Sequence, residues 1–577
     1  MSKRRLIVPI LSLFLIVSVY FMIFRYRTQE ASMLLTNGVV YTLNDNHTAA
    51  EAVAVNNGRI VGVGSNDEIR RKFKSDRIID LKGRAMYPGF VDAHGHMEGL
   101  GALLSNLDLD GTTSVEESQK LVGEWAKSVK PGAWLRGRGW DQNKWVQHSF
   151  PTHQMLDAVV KDIPVYLRRV DGHALWVNQK ALDLAGITRS TRDPEGGRII
   201  RDKSGNPTGV FVDNGIDLID SVMPQPTEEE RTDAFRKAVA ECVKVGLTEV
   251  HDMGEDLQAI AIYKKLIAEK RFPFRVYVAI GGIGKTWSRY LQEGPEIGGN
   301  DGRLTIRALK LYADGALGSR GAALIEPYSD DPGNRGLTLT SSEQLKSAAD
   351  QALEKGFQVC VHAIGDRANN LVLNVYEEAL KSNPAKAKDA RFRIEHAQVL
   401  TPGDIPRFHE LEVIPSMQPT HCTSDMYWAE DRLGPERVKG AYAWRSLLDQ
   451  GSIIPAGSDF PVESPNPLFG FYAAITRQDK KGWPEGGWFP AQRMTRQEAL
   501  KSFTTWAAYA AFEENLKGRI ETGMLADFTI LSDDIMKIDA LRIPDARVEM
   551  TIIGGDVVYA SSTFAHLMTS GSLLASH

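Results

Sequence analysis

Two periodicities divide the chain. From Met33 to about Arg84 apolar and polar residues alternate in short runs, LLTNGVVYTL, EAVAVNNGRIVGVG and DRIIDLKGRAMYP, with Asn-Gly pairs at 37–38 and 57–58 where hairpin turns belong. The same texture returns near the other end in FTILSD and RVEMTIIGGDVVYAS. Two β segments flanking a long middle predict one small sheet domain built from both terminal regions, residues 31–85 and 520–562. Across residues 86–519, β-like apolar runs alternate with helical stretches such as 230–246, 341–356 and 367–382, two of them closed by Gly. That alternation predicts a parallel (β/α) fold.

Several of the β-like runs end in residues that can carry chemistry. His94-Gly95-His96 closes the first, in YPGFVDAHGHM, and alternate residues of a strand point to one side, so the two imidazoles can face one metal ion. Alone such a pair is weak evidence. Downstream, however, Lys310 follows Ile-Arg-Ala-Leu, His362 follows Phe-Gln-Val-Cys-Val, His396 follows Arg-Phe-Arg-Ile-Glu, and Asp459 follows Ile-Ile-Pro-Ala-Gly-Ser. Each sits where an apolar run gives way to polar loop residues, at the C-terminal mouth of a parallel strand, where barrel enzymes keep their active sites.

Spacing sets a register. His362 and His396 are 34 residues apart, one βα unit, and His396 and Asp459 are 63 apart, two units. With these on strands five, six and eight, Lys310 falls on strand four, His251-Asp252 is expected to end strand three, and His421 lies past strand seven. The 214 residues from His96 to Lys310 exceed three units by roughly a hundred, at ~30–40 residues per unit. An inserted α/β subdomain at about 105–225, with a hairpin in GGRIIRDKSGNPTGVF, accounts for the excess and is expected to cap the site.

The strings PGFVDAHGH, LKLYADGALGSR, VHAIGDRA, RIEHAQ and GSDFPV, in this order, resemble the metal-dependent amidohydrolase superfamily, in particular the branch holding the N-substituted formamide deformylases. The resemblance runs from about residue 33 to about 560. It implies a (β/α)8 TIM-like barrel with the terminal β segments paired into a β-sandwich beside it, and hydrolysis of a carbon–nitrogen bond other than a peptide bond, of amide or formamide type. It further implies that His94, His96 and Asp459 bind one divalent metal and that His362 and His396 bind a second. Imidazole and carboxylate ligands suit Zn²⁺, Mn²⁺ or Fe²⁺, Zn²⁺ being the expectation, with one or two ions. A metal generates hydroxide at neutral pH and polarises a carbonyl. Asp459 beside the attacking water would act as general base and then acid. An ammonium cannot ligate a cation, but Lys310 carbamylated by CO₂ becomes an anionic bridging ligand. Trp140, Asp141, His173, Asp314 and Arg320 match strings common in this branch and are the candidate substrate contacts.

Two other readings stand beside this one. A deaminase of the same superfamily generally keeps a Glu after the fifth-strand histidine, where this chain has Ile364-Gly365-Asp366. A non-catalytic, membrane-anchored barrel protein would tend to have lost ligands, whereas the full set is present.

Composition narrows the class without naming the substrate. The 577 residues are 43% hydrophobic and 24% charged with net charge −5, which leaves no electrostatic footprint for nucleic acid. Cys242, Cys360 and Cys422 follow neither zinc-finger nor disulfide spacing. The expected partners are a small-molecule substrate and a membrane, and a homodimer is compatible with the chain. The membrane enters through residues 1–30: after Lys3, Arg4 and Arg5 comes an uncharged run of 19 residues, Leu6 to Phe24. At ~1.5 Å per residue that nearly spans a ~30 Å hydrocarbon core. Phe-Arg-Tyr-Arg-Thr follows in place of a small-x-small cleavage site, so the run is expected to be an uncleaved signal anchor, a single-pass membrane helix. Arg25 and Arg27 against three basic residues and the amino terminus favour the catalytic domain on the non-cytosolic side. Asn46-His47-Thr48 is a formal glycosylation sequon.

Overall fold

The computed structural model describes residues 28–44, 49–129, 132–224 and 226–567. The expected membrane segment lies outside the described residues except for its last few positions, as does the sequon. Gln29–Glu30 forms a short strand parallel to Phe73–Lys74, so the folded domain begins within the expected anchor boundary. Among the described residues no helix is long and apolar enough to cross a membrane.

The terminal β segments build two packed sheets. One has the order Arg59–Gly64, Ala52–Asn56, Met33–Thr36, Ile78–Asp80; the other runs Asp556–Ala560, Val548–Ile553, Phe528–Leu531, Ala85–Pro88, Val39–Tyr41, Ala49–Ala50. Period-two alternation decides what lies between them: Met33 and Leu35 join Val53, Val55, Phe528, Ile530 and Met550 in the sandwich core, while Leu34 packs on the opposite face against Ile69 and Phe73. Asn57 (φ 48°) and Gly58 (φ 72°) supply the left-handed turn between two of these strands. The sandwich strand Ala85–Pro88 runs directly into the barrel, and a buried Arg275–Asp527 ion pair (2.7 Å) ties the two bodies together.

Seven parallel strands form the barrel wall in sequence order: β1 Phe90–Gly95, β2 Leu247–Glu255, β3 Arg275–Gly281, β4 Leu304–Tyr312, β5 Gln358–Ala363, β6 Arg393–His396 and β7 Ile414–Ser416. The eighth position is filled by the segment around Ala456, which pairs in parallel with Met417 and accepts the Ala93 N–H at 3.0 Å, closing the wall nearly to a circle. His251 therefore lies on the second strand, not the third. The register slipped because the whole insert falls in the first β-to-β connection, so the run after it is the next strand rather than the one beyond. β1 and β5 are buried at every position, as strands covered on both faces must be.

The insert carries its own six-stranded sheet, ordered Leu107–Asp108, Leu135–Trp140, Val165–Arg169, Ala174–Val177, Pro207–Asp213, Gly197–Arg201. Its last two strands are the antiparallel hairpin expected from GGRIIRDKSGNPTGVF. Its core is aromatic: Trp140, Trp145 and Trp176 lie with ring centroids 6.1 Å apart pairwise.

Candidate active site

The strand ends converge as the alternation of β1 requires. His94 is fully buried inside the barrel mouth, and His96, one residue past the strand, turns to the same side. The residue between them has no room for a side chain: a Cβ at Gly95 would sit 2.5 Å from the Phe460 ring. Asp459 arrives from the eighth position with φ 57°, held by a hydrogen bond from its own N–H to His94 O at 2.7 Å. Beneath it Asp92 accepts from the Ser458 hydroxyl (2.6 Å) and from the backbone N–H groups of Ser458 and His94. Burial pushes the Asp92 carboxyl up to about 7, against those hydrogen bonds.

The imidazoles are aimed by partners outside the ligand set. His94 Nδ1 meets Glu395 Oε2 at 2.6 Å, and the acceptor oxygen fixes the proton on Nδ1, leaving the Nε2 lone pair free. His396 Nδ1 meets Gln418 Oε1 at 2.7 Å with the same consequence. Asp459 Oδ1 lies 3.0 Å from His96 Nε2 and 3.6 Å from His94 Nε2. The His362 ring packs on that of His396, centroids 4.5 Å apart. Lys310 Nζ, almost wholly buried, is 3.2 Å from His94 Nε2.

Electrostatics prepares the same atoms. Burial, reinforced by the Lys310 charge, pushes His94 down to about 4, and burial with neighbouring imidazoles holds His362 and His396 well below the usual range. The three rings are neutral at pH 7, the state a metal needs. Burial lowers Lys310 as well. At Asp459 burial works upward but is outweighed by the facing histidines, so the carboxyl is held well below its ordinary value. One ligand atom each from His94, His396 and Asp459 lies within 4.8 Å of the others, a donor set that fits a divalent cation.

These groups open into a cavity of about 610 Å³ between the barrel mouth and the insert. All six predicted ligand residues, His94, His96, Lys310, His362, His396 and Asp459, line it. Of the predicted substrate contacts, Asp141 and His173 line it too. Asp141 is paired with Arg169, and His173 is hydrogen-bonded through Nδ1 to Asp213 at 2.7 Å with its ring 5.3 Å from that of His362.

The other three do not reach the cavity. Trp140 is fully buried in the insert core, its indole N–H donating to Leu167 O at 2.7 Å, because its position on the strand faces the aromatic cluster. Asp314 spends its carboxylate on the N–H groups of Ala323, Ile364 and Gly365, anchoring the loop after β4. Arg320 pairs with Asp330 at 2.9 Å within that loop. His251 is buried beneath the site and accepts from Arg393 at 2.9 Å, whereas His421 does line the cavity, with Nε2 3.8 Å from Asp459 Oδ2.

Sequence reasoning missed the supports. Arg393 and Glu395 lie in the quoted string RIEHAQ, and two charges at alternate positions of a strand expected to be buried in the barrel wall were a readable signal. Gln418 and Arg138 carried no comparable mark.

The profile of the amidohydrolase family matches residues 77–559, and the chain belongs to that family. It is 35% identical over 536 residues to the putative amidohydrolase YtcJ of Bacillus subtilis, covering 91% of this chain and 99% of that protein. It is 26% identical over 554 residues to the N-substituted formamide deformylase of Arthrobacter pascens, covering 92% and 99%. Among solved structures it resembles an uncharacterized metal-dependent hydrolase from Pyrococcus horikoshii, with a TM-score of 0.70, 27% identity, and coverage of 88% of this chain and 99% of that one.

Proposed function

We propose that this metal-dependent hydrolase cleaves a carbon–nitrogen bond other than a peptide bond, in an amide or formamide-like small molecule, with Asp459 as the proton-transferring group. The observation that carries the reading is the setting of Asp459. One carboxylate oxygen faces His94 and His96 and the other faces His421 Nε2, a buried atom with no hydrogen-bond partner among the described residues. Held below the usual carboxylate range, Asp459 is a base at neutral pH; it takes a proton from the attacking water and returns it to the leaving nitrogen. A divalent cation, Zn²⁺ or alternatively Mn²⁺ or Fe²⁺, held by the histidines and Asp459 would acidify that water and polarise the scissile carbonyl. The deformylase relative supports the formamide class.

Lys310 extends the ligand set to a second ion. With its pKa lowered by burial, the neutral amine nitrogen bonds to the carbon of CO₂ and loses a proton, giving a carbamate between the two histidine pairs. Asp141 and His173 on the insert roof contact the substrate, and residues 1–30 anchor the enzyme to a membrane with this domain on the non-cytosolic side.

The test is a screen of the protein, loaded in turn with Zn²⁺, Mn²⁺ and Fe²⁺, against N-substituted formamides, N-acyl amides and cyclic amides, scored by the released amine. Turnover that Asp459→Asn removes is the expected result. Release of ammonia from amino-substituted rings, with no amide cleaved, would replace this reading with a deaminase.

A further inference from the structure

The cavity is lined with charge, and most of the basic side chains of its roof are paired, while the carboxylates of Asp217 and Glu463 make no ion pair among the described residues. Arg169 is paired with Asp141 and Asp171, Arg168 with Asp220 at 2.9 Å, and Lys144 with Asp110 at 3.2 Å. Asp213 holds His173, and Asp425 accepts from the Tyr442 hydroxyl at 2.5 Å. Arg138 is the exception among the basic groups of the roof. Its guanidinium lines the cavity and makes one hydrogen bond, from an Nη to Val170 O at 2.6 Å. Its Nε is buried without a partner, and among the described residues no acidic side chain pairs with it.

A half-buried guanidinium at a cavity wall without a counter-ion is free to bind an anion, and its planar fork matches a carboxylate. Burial presses Arg138 down to about 10, with Asp459 the largest charge raising it, so it remains protonated and senses the ligand end of the cavity. We infer that Arg138 is a specificity-determining residue that receives a carboxylate on the substrate, away from the scissile carbon–nitrogen bond. The inference rests on the amide-hydrolase reading above for what happens at the bond, but not for the binding of the anion. Arg320, the other arginine considered as a substrate contact, is neutralised by Asp330 in its own loop.

The test uses matched pairs that differ only in charge, such as N-formylglycine and N-formylglycinamide, with the zinc-loaded protein. Binding is read by calorimetry in the Asp459→Asn protein, and kcat/KM in the protein with Asp459 intact. The carboxylate should be favoured over the carboxamide by roughly 10–100-fold, as for a hydrogen-bonded ion pair. Arg138→Met should collapse that ratio through KM and Kd, and Arg138→Lys should restore part of it. Equal use of the two compounds, or an Arg138→Met change that leaves the ratio standing, overturns the inference while the hydrolase reading survives. Arg138-dependent binding of the carboxylate without cleavage of either compound supports the inference and counts against formamides as the bond cleaved.

Discussion

His94 Nδ1 and Glu395 Oε2 lie 2.6 Å apart, both wholly buried, and Glu395 is itself clamped by Arg393 at 2.7 Å. The orientation of the first metal-ligand candidate is thus set by a carboxylate that never faces the cavity. Arg393 extends the support to His251, to Ala93 O and to the Ser416 hydroxyl, so β1, β2, β6 and β7 are pinned to one guanidinium.

Glu395→Gln should therefore lower metal affinity by about 10–100-fold, measured by competition with a chelator, because the amide no longer fixes the His94 proton. It should also change the acid stability. Burial alone would raise the Glu395 pKa, but the Arg393 charge and the hydrogen bond from His94 hold it far below the ordinary range. A carboxyl depressed in the folded state adds stability that is full above its unfolded pKa of about 4.3 and is lost as pH falls below that value. The melting temperature of the unaltered protein should drop on acidification from pH 5 to 3, and Glu395→Gln should start lower and fall less steeply.

Asp459→Asn keeps a residue that tolerates φ 57° while removing the base. Activity should fall at least about 1000-fold, about 4 kcal/mol of barrier, with the melting temperature of the metal-free protein little changed. His96→Ala should behave similarly, since His96 is partly exposed and no core contact depends on it. An active Asp459→Asn enzyme would remove Asp459 from the chemistry and leave it a structural ligand.

How legible this was in the sequence differs by level. The barrel and the six ligand-type residues were readable because each requirement is local: an apolar run, then a polar residue at its end. Strand order failed at His251 because nothing local tells in which connection an insertion sits. Arg320 and Asp314 were misplaced for a related reason, since their partners, Asp330 and the N–H groups of residues 323, 364 and 365, are brought to them only by the folded loop. Glu395 points to the converse, a functional support overlooked beside the histidine that drew the eye.

Trp140 separates the two readings of an aromatic residue near a pocket. It buries its whole ring among Trp145, Phe150 and Trp176. Trp140→Ala should cost about 3–5 kcal/mol of insert stability, seen as an early unfolding step in denaturant or as protease nicking within residues 105–225. A variant of unchanged stability with altered substrate preference would return Trp140 to the cavity.

The uncharged run from Leu6 to Phe24 gives a topological prediction. The full chain should sediment with membranes and resist high-salt extraction, while a chain beginning at Thr28 should be soluble and folded, because the first paired strand starts at Gln29. A mature N-terminus found after residue 24 would make the run a cleaved signal.

Lys310 poses the sharpest chemical question, since its Nζ stands 3.2 Å from His94 Nε2 where an ammonium would repel any cation brought to the same ring. Two states resolve that conflict: the amine stays neutral, or it is converted to an anion. Burial disfavours the ammonium and so supplies the neutral amine from which either state starts, yet only the carbamate adds ligand atoms, its own charge being offset by the cations it would bind. Metal-loaded protein equilibrated with ¹³C-bicarbonate should show one carbamate carbon resonance, absent in Lys310→Ala, together with about two metal ions per chain falling to about one in that variant. Lys310→Ala should also lose activity, in part recoverable with short carboxylic acids that supply the missing oxygens. Retention of both metals and full activity by Lys310→Ala would leave a single-ion hydrolase in which Asp459 works without the bridge.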